Sequence, residues 1–128
     1  MSPPLEPTNY RRDYLEDSIV AQKAFKFSLN IISLYKLLTE EKEYVLSKQL
    51  LRSATSIGAN IEEATAGQSK KDFIAKMAIA SKEARETRYW LQLLQQSQLV
   101  KSDYTIYLSS IEEIIKILTS IVKTSQQK

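Results

Sequence analysis

The chain has 128 residues, of which 43% are hydrophobic, and this length suffices for one domain with a single core. It contains neither Cys nor His, which excludes thiol nucleophiles, Ser-His triads, Cys/His zinc sites, disulfides and the Glu-x-x-His pairs of di-metal bundles. The formal net charge is only +3, and chemistry would have to come from carboxylate, Lys or Tyr side chains, so we expect a protein that is not an enzyme and holds no cofactor.

The distribution of proline indicates an all-α protein. Pro3, Pro4 and Pro7 are the only prolines, so nothing after Pro7 forces a helix to break. Residues 1–16 are Pro-rich and then charged, which predicts an irregular tail. The N-terminus has no apolar signal region, and no run approaches the roughly 18 apolar residues that span a membrane. We therefore expect a soluble, cytoplasmic protein with no membrane partner.

The first two helices are separated by a charged connector. Asp17 or Ser18 suits the N-cap of the first helix, which is predicted to run to about Thr39. The connector TEEKEY covers residues 39–44, and the second helix is predicted over residues 45–66.

The third helix has clear start signals. Gly67 suits a left-handed C-cap for the second helix, and Ser69 suits the next N-cap, with Asp72 at the third helical position. The third helix is predicted over residues 70–96, because its apolar residues step alternately four and three positions apart.

The fourth helix completes the fold. Ser102 or Asp103 suits its N-cap, the helix is predicted to end near residue 123, and residues 124–128 are expected to fray. Four long helices with short connectors predict an antiparallel up-down-up-down four-helix bundle over residues 17–123.

Small and polar residues interrupt the second helix in RSATSIGANIEEA, residues 52–64, where they cost helix stability. On a helical wheel, Ser53, Ser56 and Asn60 form a ladder beside the apolar seam, and Gly58 lies on its other flank. Three interpretations stay open: close packing of neighbouring helices, a subunit interface whose register the ladder fixes, or a ligand site, for which no base is at hand.

Positive charge is concentrated in the third helix and its flanks. Residues 69–101 hold seven Lys and Arg against three Asp and Glu, whereas the segments before and after sum to −1 and 0. The cations placed on the outer surface and its flank are Lys70, Lys71, Lys82, Arg85 and Arg88. This surface is either a solvated face with weak ion pairs or a footprint for a phosphate backbone. One copy of the chain would bind nucleic acid weakly, whereas a ring of copies would present a strong positive electrostatic field. The nucleic-acid hypothesis therefore depends on assembly.

Two aromatic residues stand beside this surface. Tyr89 continues the basic strip, and Trp90 lies off the seam formed by Leu91 and Leu94. Because aromatic anchors are favoured at interfaces, Trp90 is predicted to pack against a loop or another subunit.

Residues 49–94 contain QLLRSATSIGANIEEA, SKKDFIAKMAIASKEARET and YWL. These strings resemble the bacterial four-helix-bundle proteins called 23S rRNA intervening-sequence proteins, which share a fold with the accessory variability determinant protein of diversity-generating retroelements. The resemblance is close in the second and third helices. In the first and fourth helices it extends to length and apolar pattern.

The resemblance implies a non-enzymatic bundle that assembles into a homopentameric ring. Some members of the family are encoded within insertions in ribosomal RNA genes, and the retroelement relatives bind nucleic acid and act with a reverse transcriptase. The matched positions, which the resemblance implies to define the fold or the assembly, are Arg52, Ser53, Ser56, Asn60, Glu63 and Glu86. The family often has Gly where this chain has Ala64, and often Pro where it has Gly58.

Two functional hypotheses follow from the sequence. The leading hypothesis is a homo-oligomer, specifically the pentamer that the resemblance implies, that binds RNA or DNA non-specifically through the basic surface of the third helix. It would act as an accessory to an rRNA insertion or to a reverse transcriptase. The alternative is a protein-interaction adaptor without nucleic-acid affinity, which the small net charge and the extra apolar residues Ile74 and Trp90 favour.

Overall fold

The computed structural model describes the backbone of residues 9–127 and the side chains of residues 19–127. This part of the chain forms four helices and no strand: α1 (Asn9–Glu40), α2 (Leu46–Thr65), α3 (Lys70–Ser97) and α4 (Thr105–Gln126). Each helix packs against the next along the chain, and α4 closes the arrangement against α1. Within the described residues, no Cα atoms of the two diagonal helix pairs come within 8 Å of each other. The predicted all-α four-helix bundle is confirmed.

Contacts between neighbouring helices show that they are antiparallel. On α1 and α2, Ser28 Oγ lies 3.5 Å from the backbone oxygen of Ala54, whereas a Cβ on Gly58, further along α2, would meet Ala24, earlier on α1, at 3.8 Å. On α2 and α3, Ser53 meets Thr87, whereas Glu63, further along α2, meets Lys76, which comes earlier on α3. The short connectors therefore reverse the chain between neighbouring helices, as the sequence predicted.

The core is the seam enclosed by the four helices. The apolar positions predicted at alternating four- and three-residue steps are buried, and burying one such side chain contributes roughly 1.5–3 kcal/mol. The largest fully buried side chains include Phe27, Ile31, Leu34, Leu38, Leu50, Ile57, Ile61, Met77, Leu91, Leu94, Tyr104 and Ile111. A continuous core of this kind fixes which face of each helix is left for the surface.

The two ends of the chain are more helical than predicted. α1 begins at Asn9, eight residues before the expected start at Asp17. After Pro7 no residue breaks a helix, so helical hydrogen bonding extends through a segment whose composition suggested a tail. At the other end α4 continues to Gln126, past the predicted end. The expected tail residues 1–8 and the last residue lie outside the described part of the chain.

The turn between α2 and α3 confirms one predicted cap and corrects another. Ser69 is the N-cap of α3, and its hydroxyl accepts the backbone N–H of Asp72 at 3.1 Å. Gly67, in contrast, does not have a positive φ, so the predicted left-handed cap is wrong. Its N–H donates to the oxygen of Ala64 at 3.1 Å, and a Cβ on Gly67 would lie only 3.0 Å from that oxygen. Close approach of the backbone, rather than a left-handed φ, accounts for the glycine.

Side-chain carboxylates also accept backbone N–H groups at the start of α2 and at the start of α4. Glu43, only 8% exposed, accepts the backbone N–H groups of Val45 and Leu46 at 3.0 Å and of Ser47 at 2.7 Å. Ahead of α4, Asp103, one of the two predicted N-caps, accepts the backbone N–H of Thr105 at 2.9 Å, although the N-cap position itself is Tyr104. Hydrogen bonds from the side chain and backbone of Thr105 hold the pKa of Asp103 below its usual value. The connector predicted as merely charged thus supplies the cap of α2.

Candidate nucleic-acid interface

One arginine of α2, Arg52, forms ion pairs with two glutamates of α3 across the interface between these helices. The Arg52 guanidinium contacts Glu83 at 3.3 Å and also pairs with Glu86. Glu86 additionally accepts the indole N–H of Trp90 at 3.0 Å. Arg52, Glu86 and Trp90 were singled out as packing or assembly residues, and the fold brings them together within one chain.

A buried hydroxyl pair lies beside this ion cluster. Ser53 is completely buried, and the Thr87 hydroxyl donates to Ser53 Oγ at 2.8 Å across the two helices. Ser53 Oγ also lies 3.3 Å from the backbone oxygen of Leu50, to which it can donate. Both hydroxyls therefore have partners without water, and Ser53 favours the close-packing interpretation of the polar ladder.

The other residues singled out in this stretch of α2 are Ser56, Asn60 and Gly58, and their contacts differ from those of Ser53. Asn60 Nδ2 donates to the backbone oxygen of Ser56 at 2.8 Å and to its Oγ at 3.0 Å, so these two residues bond within α2. Gly58 faces α1, where an added Cβ would meet Ala24 at 3.8 Å and Ser28 at 4.0 Å. These are ordinary contact distances, so packing against α1 does not require a glycine at this position.

Glu63 and Trp90, which were also predicted as packing or assembly residues, both contact other residues of their own chain. Glu63 accepts Lys76 Nζ at 2.8 Å, in a pair whose side chains are 58% and 39% exposed. Trp90 is half-buried and packs against the core of its own chain. Its ring also meets Tyr89 edge-on, with centroids 5.3 Å apart and planes at 65°.

Two acidic side chains of α3, Glu83 and Glu86, lie on a different side of the helix from its exposed cations. Glu83 and Glu86 point to α2, where Arg52 holds both of them. On the outer face, Lys71, Lys82 and Arg85 are exposed, and within the described residues none of the three forms an ion pair. The outer face of α3 is thus a strip of uncompensated positive charge.

The five cations predicted for this surface are not equivalent. Arg88 pairs with Glu112 of α4 at 2.8 Å and is 28% exposed, so its charge is largely compensated. Arg85 donates to the Thr119 hydroxyl of α4 at 3.2 Å, a contact that orients the guanidinium and leaves its charge in place. Lys70 is exposed in the first turn of α3.

Two lysines of α4 extend the strip and were missed from the sequence. Glu112 and Thr119 contact α3, which identifies the edge of α4 that faces it. Lys116 lies four residues after Glu112, and Lys123 lies four residues after Thr119, so both exposed lysines follow this same edge. Helical spacing carried the signal, but the sequence did not say which edge of α4 adjoins α3. We call Lys71, Lys82, Arg85, Lys116 and Lys123 the α3–α4 basic surface.

The described part of the chain offers no alternative centre for metal chemistry. No group of three or more Asp or Glu side chains lies close enough there to hold a metal ion. None of the described helices is both long and apolar enough to cross a membrane.

The family model described as 23S rRNA-intervening sequence protein matches residues 16–120. A solved structure from Bacteroides thetaiotaomicron VPI-5482, described as a protein with unknown function from the S23 ribosomal protein family, is 49% identical, with a TM-score of 0.79. The match covers 84% of this chain and 98% of that one. No curated protein matches the chain.

Proposed function

The chain belongs to the 23S rRNA-intervening sequence protein family, and from this premise we propose that it is a non-enzymatic, homo-oligomeric protein that binds RNA or DNA without sequence preference. The α3–α4 basic surface is the proposed contact for the phosphate backbone. We propose a cytoplasmic accessory role, beside either an rRNA insertion or a reverse transcriptase.

The observation that carries this proposal is the separation of charge on α3. Of its three acidic residues, Glu83 and Glu86 are directed to α2, where both contact Arg52, so they do not pair with the cations of the outer face. Exposed cations that form no ion pair attract phosphates and release counterions, which gives affinity that depends on salt and not on sequence.

Assembly would multiply a surface that is weak in one copy. Five cations could neutralise only a few phosphates, and each phosphate contact contributes a modest, salt-sensitive part of the binding. Several copies in one ring would bind the same polynucleotide together, so the later contacts become intramolecular and the affinity rises steeply.

The test reverses charge on the proposed surface and on a matched control. Lys82→Glu/Arg85→Glu lowers the net charge from +3 to −1, and Lys48→Glu/Lys101→Glu makes the same change of −4 at exposed positions elsewhere. We expect the first variant to lose salt-sensitive binding of a 20-nucleotide oligomer in fluorescence anisotropy, and the control to retain most of it. Equal losses in both variants, or no loss in either, would exclude this surface.

Self-assembly is supported by an apolar stripe on the outside of α1. Phe25, Leu29 and Ile32 follow one another at four- and three-residue steps and are 67%, 51% and 42% exposed. They face away from the core stripe of the same helix, so the monomer leaves them in water. An exposed apolar stripe of this size is typical of a surface that another protein covers.

A ring also needs a second, different surface on the same subunit. Ile79 on α3 is 41% exposed and shares the edge of α3 nearest to α2 with Trp90. Since α1 and α3 occupy diagonal corners of the bundle, the α1 stripe and this edge lie on separate sides of the molecule. We propose that the α1 stripe of one copy packs on the α3 edge of the next, in the pentamer that the family resemblance implies.

Light scattering coupled to size exclusion tests the assembly. We expect the wild-type chain to elute as a pentamer and Leu29→Lys to elute as a monomer of 14.7 kDa with unchanged helical circular dichroism. Lys26→Glu, an exposed change on the same helix that lies off the stripe, serves as the control and should leave the mass unchanged. A monomeric wild type would contradict the ring.

The second candidate function is a protein-interaction adaptor, and the α1 stripe is the observation that favours it. In that case the stripe binds a different protein, and the basic surface is merely solvated. A monomeric wild type that captures one defined protein after nuclease treatment, through a contact that Leu29→Lys abolishes, would favour the adaptor over the nucleic-acid function.

A further inference from the structure

We propose that the α3–α4 basic surface selects unpaired nucleic acid, because Tyr89 provides a stacking platform for one base at the end of its row of cations. This inference rests on the proposed function and specifies the substrate class of the same surface. The ligand is a single-stranded stretch of polynucleotide, held by phosphate contacts and by one base–aromatic contact.

The first observation is the position of Tyr89 in the outer stripe of α3. Lys82, Arg85 and Tyr89 follow one another at steps of three and four residues, so they share one helical face. With a rise of about 1.5 Å per residue, Lys82 and Arg85 lie about 10 and 6 Å along the axis from Tyr89. A strand whose phosphates contact the two cations would therefore bring its next bases to the ring.

The second observation is that the ring is exposed and yet supported. Tyr89 is 54% exposed, because its position on α3 faces away from the buried residues of that helix. The indole of Trp90 meets its ring edge-on at 5.3 Å, and Trp90 is itself fixed by its hydrogen bond to Glu86. A ring held in this way loses little conformational entropy when a base stacks on it.

The third observation concerns the charges around the ring. Antiparallel pairing of Arg88 with Glu112 places Lys116, one turn further along α4, near the level of Arg85. Glu112 is the acidic residue at this level on the facing edge, and Arg88 neutralises it at 2.8 Å. Glu86, three residues before Tyr89, pairs with Arg52, so Lys82, Arg85 and Lys116 leave the surroundings of Tyr89 net positive. A net positive environment suits a phosphate on either side of a stacked base.

This arrangement discriminates between paired and unpaired strands. In a duplex each base is stacked on both faces and enclosed by the backbones, so a ring on a convex helix cannot reach a base face without unstacking it. In a single strand the bases are available, and stacking on an aromatic side chain tolerates any base because every base has a π-face. Cations alone would bind both forms.

The test compares two single-stranded probes with a duplex. Tyr89→Ala is expected to weaken binding of 20-nucleotide oligo(U) and oligo(dT) by at least fivefold, and to leave a 20-base-pair duplex within twofold of wild type. Tyr89→Phe should keep wild-type affinity for all three probes. Tyr44→Ala is the matched control, since Tyr44 is 61% exposed and lies in the connector between α1 and α2.

An independent readout comes from the fluorescence of Trp90, the one Trp of the chain. A base stacked on Tyr89 lies next to the indole, so we expect the single-stranded probes to quench its emission and the duplex to change it little. Equal effects of Tyr89→Ala on all probes, or no effect on any, would overturn the stacking role while wild-type binding stands. If the wild-type chain binds none of the probes, or if Lys82→Glu/Arg85→Glu does not weaken binding, the proposed function itself is overturned.

Discussion

The hydroxyls of Ser53 and Thr87 lie 2.8 Å apart between α2 and α3, and neither residue is exposed to solvent. Each hydroxyl also has a backbone oxygen of its own helix within reach, Leu50 O at 3.3 Å and Glu83 O at 2.8 Å. The pair therefore connects two helices and satisfies its own polar atoms, which explains why a serine is tolerated within the core.

We predict that Ser53→Ala and Thr87→Val each lower the free energy of unfolding by about 1 kcal/mol. The double variant should cost less than the sum of the two, because the hydroxyl left behind in each single variant has lost its partner across the seam. Urea unfolding at one protein concentration measures the three changes. Thr55→Val is the control, since the Thr55 hydroxyl bonds Leu51 of its own helix at 2.8 Å. Strict additivity would show that the two hydroxyls do not interact.

We predict that Arg52→Gln destabilises more than removal of an isolated surface pair. Its loss leaves Glu83 and Glu86, 20% and 34% exposed, next to each other without a counter-charge, at an expected cost of about 1 kcal/mol. Lys76→Gln, which removes the partner of the exposed Glu63, should cost less than about 0.5 kcal/mol. Thermal unfolding in 50 mM and 500 mM salt checks this, and the Arg52 effect should shrink at the higher salt. A larger effect for Lys76→Gln would contradict the prediction.

The bundle could be predicted from the sequence because its signals are local and agree with one another. The apolar steps along each helix and the cap at Ser69 all specify elements that later contacts only confirm. Errors occurred where nothing local stops a helix, as at Asn9, or where glycine has more than one use, as at Gly67.

The candidate site was predictable only in part, because it depends on how two helices are rotated against each other. The exposure of Lys82 and Arg85 follows from the period of α3 alone. Compensation of Arg88 by Glu112, and the addition of Lys116 and Lys123, follow from the edge that α4 presents to α3, which is a tertiary property. The Arg52 cluster was recognised as important, but no periodicity could tell a contact within one chain from a contact between copies.

We predict that the two glycines respond in opposite ways to substitution by alanine. Gly58→Ala should raise the free energy of unfolding by about 0.5–1 kcal/mol, because the new methyl meets Ala24 at 3.8 Å and alanine is the better helix former. Gly67→Ala should lower it, because the methyl would lie 3.0 Å from a backbone oxygen that cannot move alone. Circular dichroism melting measures both. If Gly58→Ala destabilises, and also reduces the assembled mass, then a neighbouring copy requires that glycine.

The last prediction concerns alkaline pH and Tyr104, which is fully buried and donates its hydroxyl to the oxygen of Val100 at 2.7 Å. Burial, followed by the negative charge of Glu43 and by Tyr107, raises the pKa of Tyr104 above the value of 10.0 for a free tyrosine. Above pH 10 the unfolded chain releases this proton while the folded chain still holds it. The unfolded state is then favoured, and stability falls as pH rises towards the folded pKa, by up to about 1.4 kcal/mol per pH unit.

Tyr104→Phe isolates this effect from the titration of the lysines. Between pH 7 and 9 the variant should be less stable than wild type by about 1 kcal/mol, because it lacks the hydrogen bond to Val100. Above pH 10 the difference should narrow, because only the wild type has a proton to lose at this position on unfolding. Urea titrations at each half unit of pH measure the two curves. Curves that stay parallel through pH 11 would mean that the Tyr104 hydroxyl ionises as readily in the bundle as in water.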